Sequence, residues 1–166
     1  MSRLQDALDR ITLIRSYTRG LIDTIDPADW FRMPAEGITH VAWQVGHLAF
    51  AEYGLCLMRL RGPRPDDQQI ITPGFIAAFR RESVPEPDPA KFPPVAEIRA
   101  TFDRVHERVL SELPAFPDAE LDTLISPPHR ICKTRFDCVR WCPYHEMTHA
   151  GQIGLLRRLF GQKPMW

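Results

Sequence analysis

The chain has 166 residues, 44% of them hydrophobic and 25% charged, which is enough for an ordinary globular core without disulfides. Its 21 basic and 21 acidic residues cancel, so nothing in the charge predicts a nucleic-acid partner. No apolar run approaches the roughly 20 residues of a membrane span, and the charged start "MSRLQDALDR" does not read as a secretory signal. A cytoplasmic protein of one domain, residues 1–166, is therefore expected. The four cysteines, Cys56, Cys132, Cys138 and Cys142, have no C-x-x-C spacing and read as free thiols.

Proline divides the chain. Eight of the 16 prolines fall between Pro63 and Pro94 and four more between Pro114 and Pro128, which marks both stretches as loops. Regular structure is left to four segments. Residues 2–24 and the position just after them repeat apolar side chains near a 3.6-residue period (Leu4, Ala7, Leu8, Ile11, Ile14, Leu21, Ile25), with Ser2 as cap. Residues 39–60 are apolar on nearly all sides and predict a central, buried helix ended by Gly62-Pro63. A short helix at 73–81, opened by Thr72-Pro73, decorates the long loop that follows. Residues 94–113 turn Ile98, Phe102, Val105 and Val109 inward, with Pro94 in the first turn. Residues 135–160 begin at a Thr134-x-x-Asp137 capping box and end before Gly161, with Pro143 predicted to kink the helix. No segment alternates as a strand would. The expected fold is all-α: a four-helix bundle. Its long proline-rich connection between the second and third main helices allows an up-down-down-up order.

Residues 145–149 read "HEMTH", the H-E-x-x-H signature of zinc proteases. On a helix, His145 and His149 share a face, offset by about 40° and about 6 Å of rise. They can share one metal, which needs at least a third ligand. The residues after His149, "AGQIGLLRRLFGQKPMW", contain no His, Asp, Glu or Cys, and Leu155 stands where a metzincin would carry its third histidine. The protease reading fails at that point. Upstream, His47 is the best candidate, because an imidazole in the middle of the most apolar helix needs a polar partner. His40, near the helix start, reads as solvated, His106 as a surface residue, and His129 as a loop residue.

"GHLAFAE" in the second helix and "HEMTHAGQIGLLRRLFG" in the fourth resemble the DinB-like (DinB/YfiT) superfamily of four-helix metal proteins. The resemblance spans the whole layout but only about 35 residues of specific motif. It implies a three-histidine site of His47, His145 and His149, open to water or substrate, in an up-down-down-up bundle, and a homodimer. It also implies chemistry such as low-molecular-weight thiol transfer or thiol-dependent isomerisation. The related iron-dependent ergothioneine-pathway chemistry, which needs a second large domain, is not expected of a single-domain protein.

Three neutral imidazoles leave a divalent metal its full charge and make it a Lewis acid. Zinc or nickel is the expected ion, and iron also suits such ligands. The expected partner is a small molecule, with a low-molecular-weight thiol foremost. The alternative is a non-catalytic metal-binding or stress-response protein with a structural metal, for which Cys142 would close the site as fourth ligand. Cys138 and Cys142 otherwise read as small core residues, with a reactive thiol in the pocket as the remaining reading. Glu52 and Tyr53 are candidate pocket groups, and Glu52 reads better as a supporting or surface carboxylate than as a base. Gln152 is a candidate partner of a ligand. Gly151 and Gly154 read as sites of close backbone approach, and Arg157 and Arg158 as surface or dimer charges rather than catalytic groups. Trp30, Phe31, Trp43 and Trp141 divide between pocket lining and plain core.

Overall fold

The computed structural model describes residues 2–165, and among these the chain is all-helical, with a single isolated bridge between Leu124 and Thr134 in place of any strand. Helix α1 spans Arg3–Ile22, capped by the Ser2 hydroxyl accepting from the Gln5 amide at 3.2 Å. Helix α2 starts at Val41–Glu52, changes its register through a π-helical turn at Tyr53–Met58 and finishes at Arg59–Arg61. The extra residue of such a turn rotates the side chains that follow, and these turns gather at functional sites. Helix α3 is the short Pro73–Phe79, opened as expected by Thr72, whose hydroxyl accepts from the Phe75 amide. Helix α4 spans Val95–Glu112, with Pro94 one position earlier than expected, at the cap. Helix α5 spans Arg135–Leu159 and runs through the buried Pro143. Its capping box is formed in full: Thr134 Oγ1 accepts from Asp137 N, and Asp137 Oδ2 accepts from Thr134 N. Gly161 takes the left-handed conformation, φ 88°, that stops the helix.

Cross-helix contacts show how the long helices lie together. Between α1 and α5 the partners rise together: the Arg3 guanidinium lies over the Phe136 ring, Arg15 binds Glu146, and Thr24, just past α1, accepts from Arg157. Between α2 and α4 they also rise together, with Glu52 beside His106 and Arg61 beside Glu112. Between α2 and α5 the order reverses: Gln44 meets Gln152, and His47 meets His149. The core enclosed by these helices includes Leu8, Ile11, Val45, Leu48, Phe102, Val105 and Ile153. Trp30, with no exposed surface, belongs to this core rather than to any pocket.

The long connection is partly core. Phe75 and Phe79 of α3 are buried, and the Phe79 ring lies against Gly46 so closely that a Cβ there would overlap it. Gly46 is thus what allows α3 to seat on α2, one residue before His47. Gly151 and Gly154 have no such role, since a Cβ at either would meet nothing within 4 Å. Arg157 is not a surface charge: it is 6% exposed, and its Nε donates to Thr24 Oγ1 at 2.7 Å.

Candidate metal centre

His47 from α2 and His145 and His149 from α5 bring one ring nitrogen each to within 4.8 Å of the others. Among the described residues no other His, Cys, Asp or Glu joins this group. The ring centroids lie 4.6 Å (His145–His149), 4.9 Å (His47–His149) and 5.4 Å (His47–His145) apart. Two of the rings are fixed from behind. His47 Nδ1 lies 2.9 Å from the Phe79 carbonyl, which can only accept, so Nδ1 carries the proton and Nε2 keeps its lone pair. His149 Nδ1 lies 2.5 Å from Gln44 Oε1, and the Gln44 amide nitrogen donates to Thr39 Oγ1 and Gln152 Oε1, both at 2.9 Å. That relay turns His149 Nε2 inward in the same way. Gln152 therefore does support a candidate ligand, through Gln44. Trp43 stacks on His47 at 4.7 Å, with its indole N–H donating to Ser83 Oγ.

Burial holds these imidazoles neutral. It pushes His145 down to about 4 and His149 down to about 3, helped by the neighbouring histidines, and it lowers His47 against the pull of the Phe79 carbonyl. Three neutral, inward-facing nitrogens are the donor set that a zinc-like divalent ion takes, so the residues fit a metal. The cluster forms one wall of an open pocket of about 600 Å³, which Trp43, Phe50, Arg59, Glu82, His129 and Trp141 also line.

The glutamate of "HEMTH" faces elsewhere. Glu146 is 3% exposed and accepts from Arg15 Nε at 3.0 Å, inside the bundle. Arg15 also donates to Glu52 Oε2 at 2.6 Å and to the Phe102 carbonyl at 2.7 Å, and its guanidinium lies 3.5 Å over the Phe102 ring. Glu52 Oε1 in turn accepts from His106 Nδ1 at 2.9 Å. Several expectations are corrected by this network. Glu52 is not a surface or pocket carboxylate, and His106, 4% exposed, is not a surface residue. Tyr53 is buried with its hydroxyl donating to Asp67, away from the pocket. His40, with no exposed surface, is not solvated; its Nδ1 caps α2 by accepting from the Trp43 amide at 3.1 Å. Phe31 packs on the His40 and Phe92 rings, outside the lining of the histidine pocket.

The family model for the DinB superfamily matches residues 10–153, a span that includes all three histidines. The chain belongs to the DinB superfamily. The structure of a conserved protein from Enterococcus faecalis is similar to this DinB-superfamily chain, with a TM-score of 0.67 at 20% identity, over 98% of this chain and 99% of that one. At that identity the likeness is one of fold. No curated protein matches the sequence.

The sequence pointed to the three histidines of this member of the superfamily and offered Trp43 and Trp141 as lining, and both do line the pocket, but it did not point to the charged and loop residues there. Arg59 enters from the last turn of α2, Arg81 and Glu82 from just after α3, and Pro128, His129 and Arg130 from the loop before α5. Such loop residues carry no periodicity, and only their charge marks them. No helix of the described residues is long and apolar enough to cross a membrane.

Proposed function

We propose that this chain is a divalent-metal-dependent enzyme of the low-molecular-weight thiol transferase or hydrolase type, acting on a small molecule in the pocket beside His47, His145 and His149. The observation that carries the reading is an incomplete ligand set at an open wall. Three neutral nitrogens converge, no fourth protein ligand joins them among the described residues, and the pocket of about 600 Å³ begins there. Structural zinc sites usually fill four positions with protein ligands, whereas catalytic sites keep one open. Zinc or nickel suits three imidazoles, and such an ion supplies Lewis acidity toward a thiol or a water. The chain's own residues do the rest. Phe79 O and Gln44 hold the two rings in the tautomer that can ligate, and Trp43 and Trp141 give the pocket apolar walls that limit water.

The non-catalytic alternative needs Cys142 as a fourth ligand. Its thiol is 3% exposed and hydrogen-bonded to Cys56 in the core, which disfavours that reading. We also read the long helices as an up-down-down-up bundle. The order of cross-helix partners supports it, and a crystal structure with α2 and α4 antiparallel would reverse it.

The test is elemental analysis of the untagged protein beside His47→Ala and His149→Ala. The expected result is about one transition metal per chain, lost in both variants, since three is the minimum ligand count for such a site. A wild type that cannot be loaded with zinc, nickel or iron removes the basis for the proposed activity.

A further inference from the structure

The histidine pocket contains an imbalance of charge that the metal reading does not use. Thirteen of the 18 arginines have a carboxylate partner. Among the described residues, those without a carboxylate within 4.0 Å are Arg59, Arg81, Arg130, Arg157 and Arg158, and the first three line this one pocket. They come from three separate segments: the end of α2, the residue after Arg80, and the loop before α5. Their convergence is therefore a product of the fold and not of a basic run in the sequence.

Arg59 is the most enclosed. Its Nε is shielded from solvent without a hydrogen-bond partner, and Nη1 reaches only the Gly54 carbonyl, at 3.4 Å. Gly54 lies in the π-helical turn, so the same irregularity that rotates the end of α2 also aims Arg59. Arg81 and Arg130 stand exposed at the mouth. Among the described residues, the only acidic side chain of the lining is Glu82, which is itself exposed. The side chains alone then give three positive charges against one negative in a concave site with aromatic walls, where a field is focused rather than dispersed. Guanidinium forks left open in this way match an oxyanion such as a carboxylate.

We propose that Arg59, Arg81 and Arg130 make the pocket selective for an anionic substrate, whose charged group lies among the arginines while its reactive end reaches the histidines. The inference rests on the proposed function only in taking the pocket as the substrate site. It names the substrate class that the three histidines by themselves leave open. Arg59 acts as the inner anchor and the two exposed arginines as a gate. Glu82 sets the limit on how far the preference goes.

The test uses two small thiols of matched size, 3-mercaptopropionate and its neutral amide, 3-mercaptopropionamide. Binding is followed by tryptophan fluorescence, since Trp43 and Trp141 line the pocket. The full chain is used both metal-free and loaded with cobalt. The expected result is that the carboxylate binds about tenfold more tightly than the amide, or better, in both forms, the scale of one charge-assisted hydrogen bond. Arg59→Gln should abolish most of that preference. Arg81→Gln and Arg130→Gln, exposed and without folding risk, should each reduce it severalfold, and Glu82→Gln should increase it. Equal binding of the two thiols, or a preference unchanged in all three arginine variants, overturns the proposal. The metal reading is decided separately: failure to load cobalt counts against it, while the carboxylate-to-amide ratio in the metal-free protein still decides for or against the arginines.

Discussion

Two polar clusters lie side by side inside this bundle, and they solve the burial problem in opposite ways. Around Arg15 every charged group has its counterpart: the guanidinium binds Glu52, Glu146 and the Phe102 carbonyl, and Glu52 also takes the His106 proton donor. Around His47, His145 and His149 the groups are neutral, one nitrogen of each faces a shared centre, and the pocket beyond carries unbalanced arginines. The first cluster is closed and satisfied; the second is open. That contrast explains how "HEMTH" should be read. On a helix, Glu146 is turned about 100° from His145, and here that rotation carries it into the closed cluster. The motif faces two clusters at once, one closed by ion pairs inside the helical core and one open toward the pocket.

The largest test of that contrast is Arg15→Met. Burial pulls the Arg15 guanidinium down, but Glu52 and Glu146 more than offset it and raise it above its ordinary value. Burial likewise pushes the Glu52 carboxyl up, and Arg15 and His106 outweigh it and hold it below its ordinary value. Removing the arginine leaves two carboxylates buried without their cation, which should cost about 3–5 kcal/mol in urea denaturation of the metal-free protein. The sign with pH follows. Glu52, with its folded value depressed, contributes stability that is full above the unfolded value near 4.5 and is lost as pH falls through the folded one. The variant should lose that part of the acid dependence. His149→Ala, by contrast, leaves only Gln44 Oε1 without its donor, and should cost the metal-free protein about 1–2 kcal/mol while removing metal. If the two substitutions cost the same, the division into a closed and an open cluster is wrong.

A smaller effect is expected at the joint between α2 and α3. Gly46→Ala places a methyl group against the Phe79 ring, and overpacking of this kind costs about 1–3 kcal/mol. It should also weaken metal binding roughly tenfold, because moving Phe79 draws its carbonyl away from His47 Nδ1. Calorimetric metal titration beside thermal denaturation separates the two. A loss of stability with unchanged metal affinity would show that the Phe79 contact is packing alone and does not orient the ligand.

The sequence made the open cluster more legible than the closed one, for a physical reason. Metal-type ligands stand out: two histidines four residues apart and a third in an apolar helix are conspicuous by type and spacing. The helices were legible as well, from periodicity and from caps such as Thr134 with Asp137. The closed cluster was hidden because each member looks like an ordinary surface residue. Arg15 carries the signal that could have exposed it, since it continues the apolar stripe of Leu4, Leu8, Ile11 and Ile22 and so points inward. His106, four residues beyond Phe102 on the inner face of α4, carries the same signal. The arginines of the pocket were not legible at all, because the loops after α3 and before α5 decide where they meet, and loops have no period to read.

The smallest effect is predicted for Cys142→Ser, and its smallness is what makes it informative. Cys142 stands one turn before Glu146 and three residues before His145, so it could belong to either cluster. Its thiol is hydrogen-bonded to Cys56, and that bond, with burial and the nearby Glu52 and Glu146, pushes it well above its ordinary value. A metal takes the thiolate, and these surroundings oppose its formation. A serine hydroxyl can replace the thiol as hydrogen-bond partner of Cys56 at the cost of about 1 kcal/mol or less. Metal content should stay the same, and affinity should change by less than about twofold, against the roughly 10–100-fold expected when a group that supports a ligand is lost. A hundredfold loss would move Cys142 into the histidine cluster and close the site as a four-ligand structural centre. An unchanged affinity keeps the fourth position free, which is the property on which any chemistry in the pocket depends.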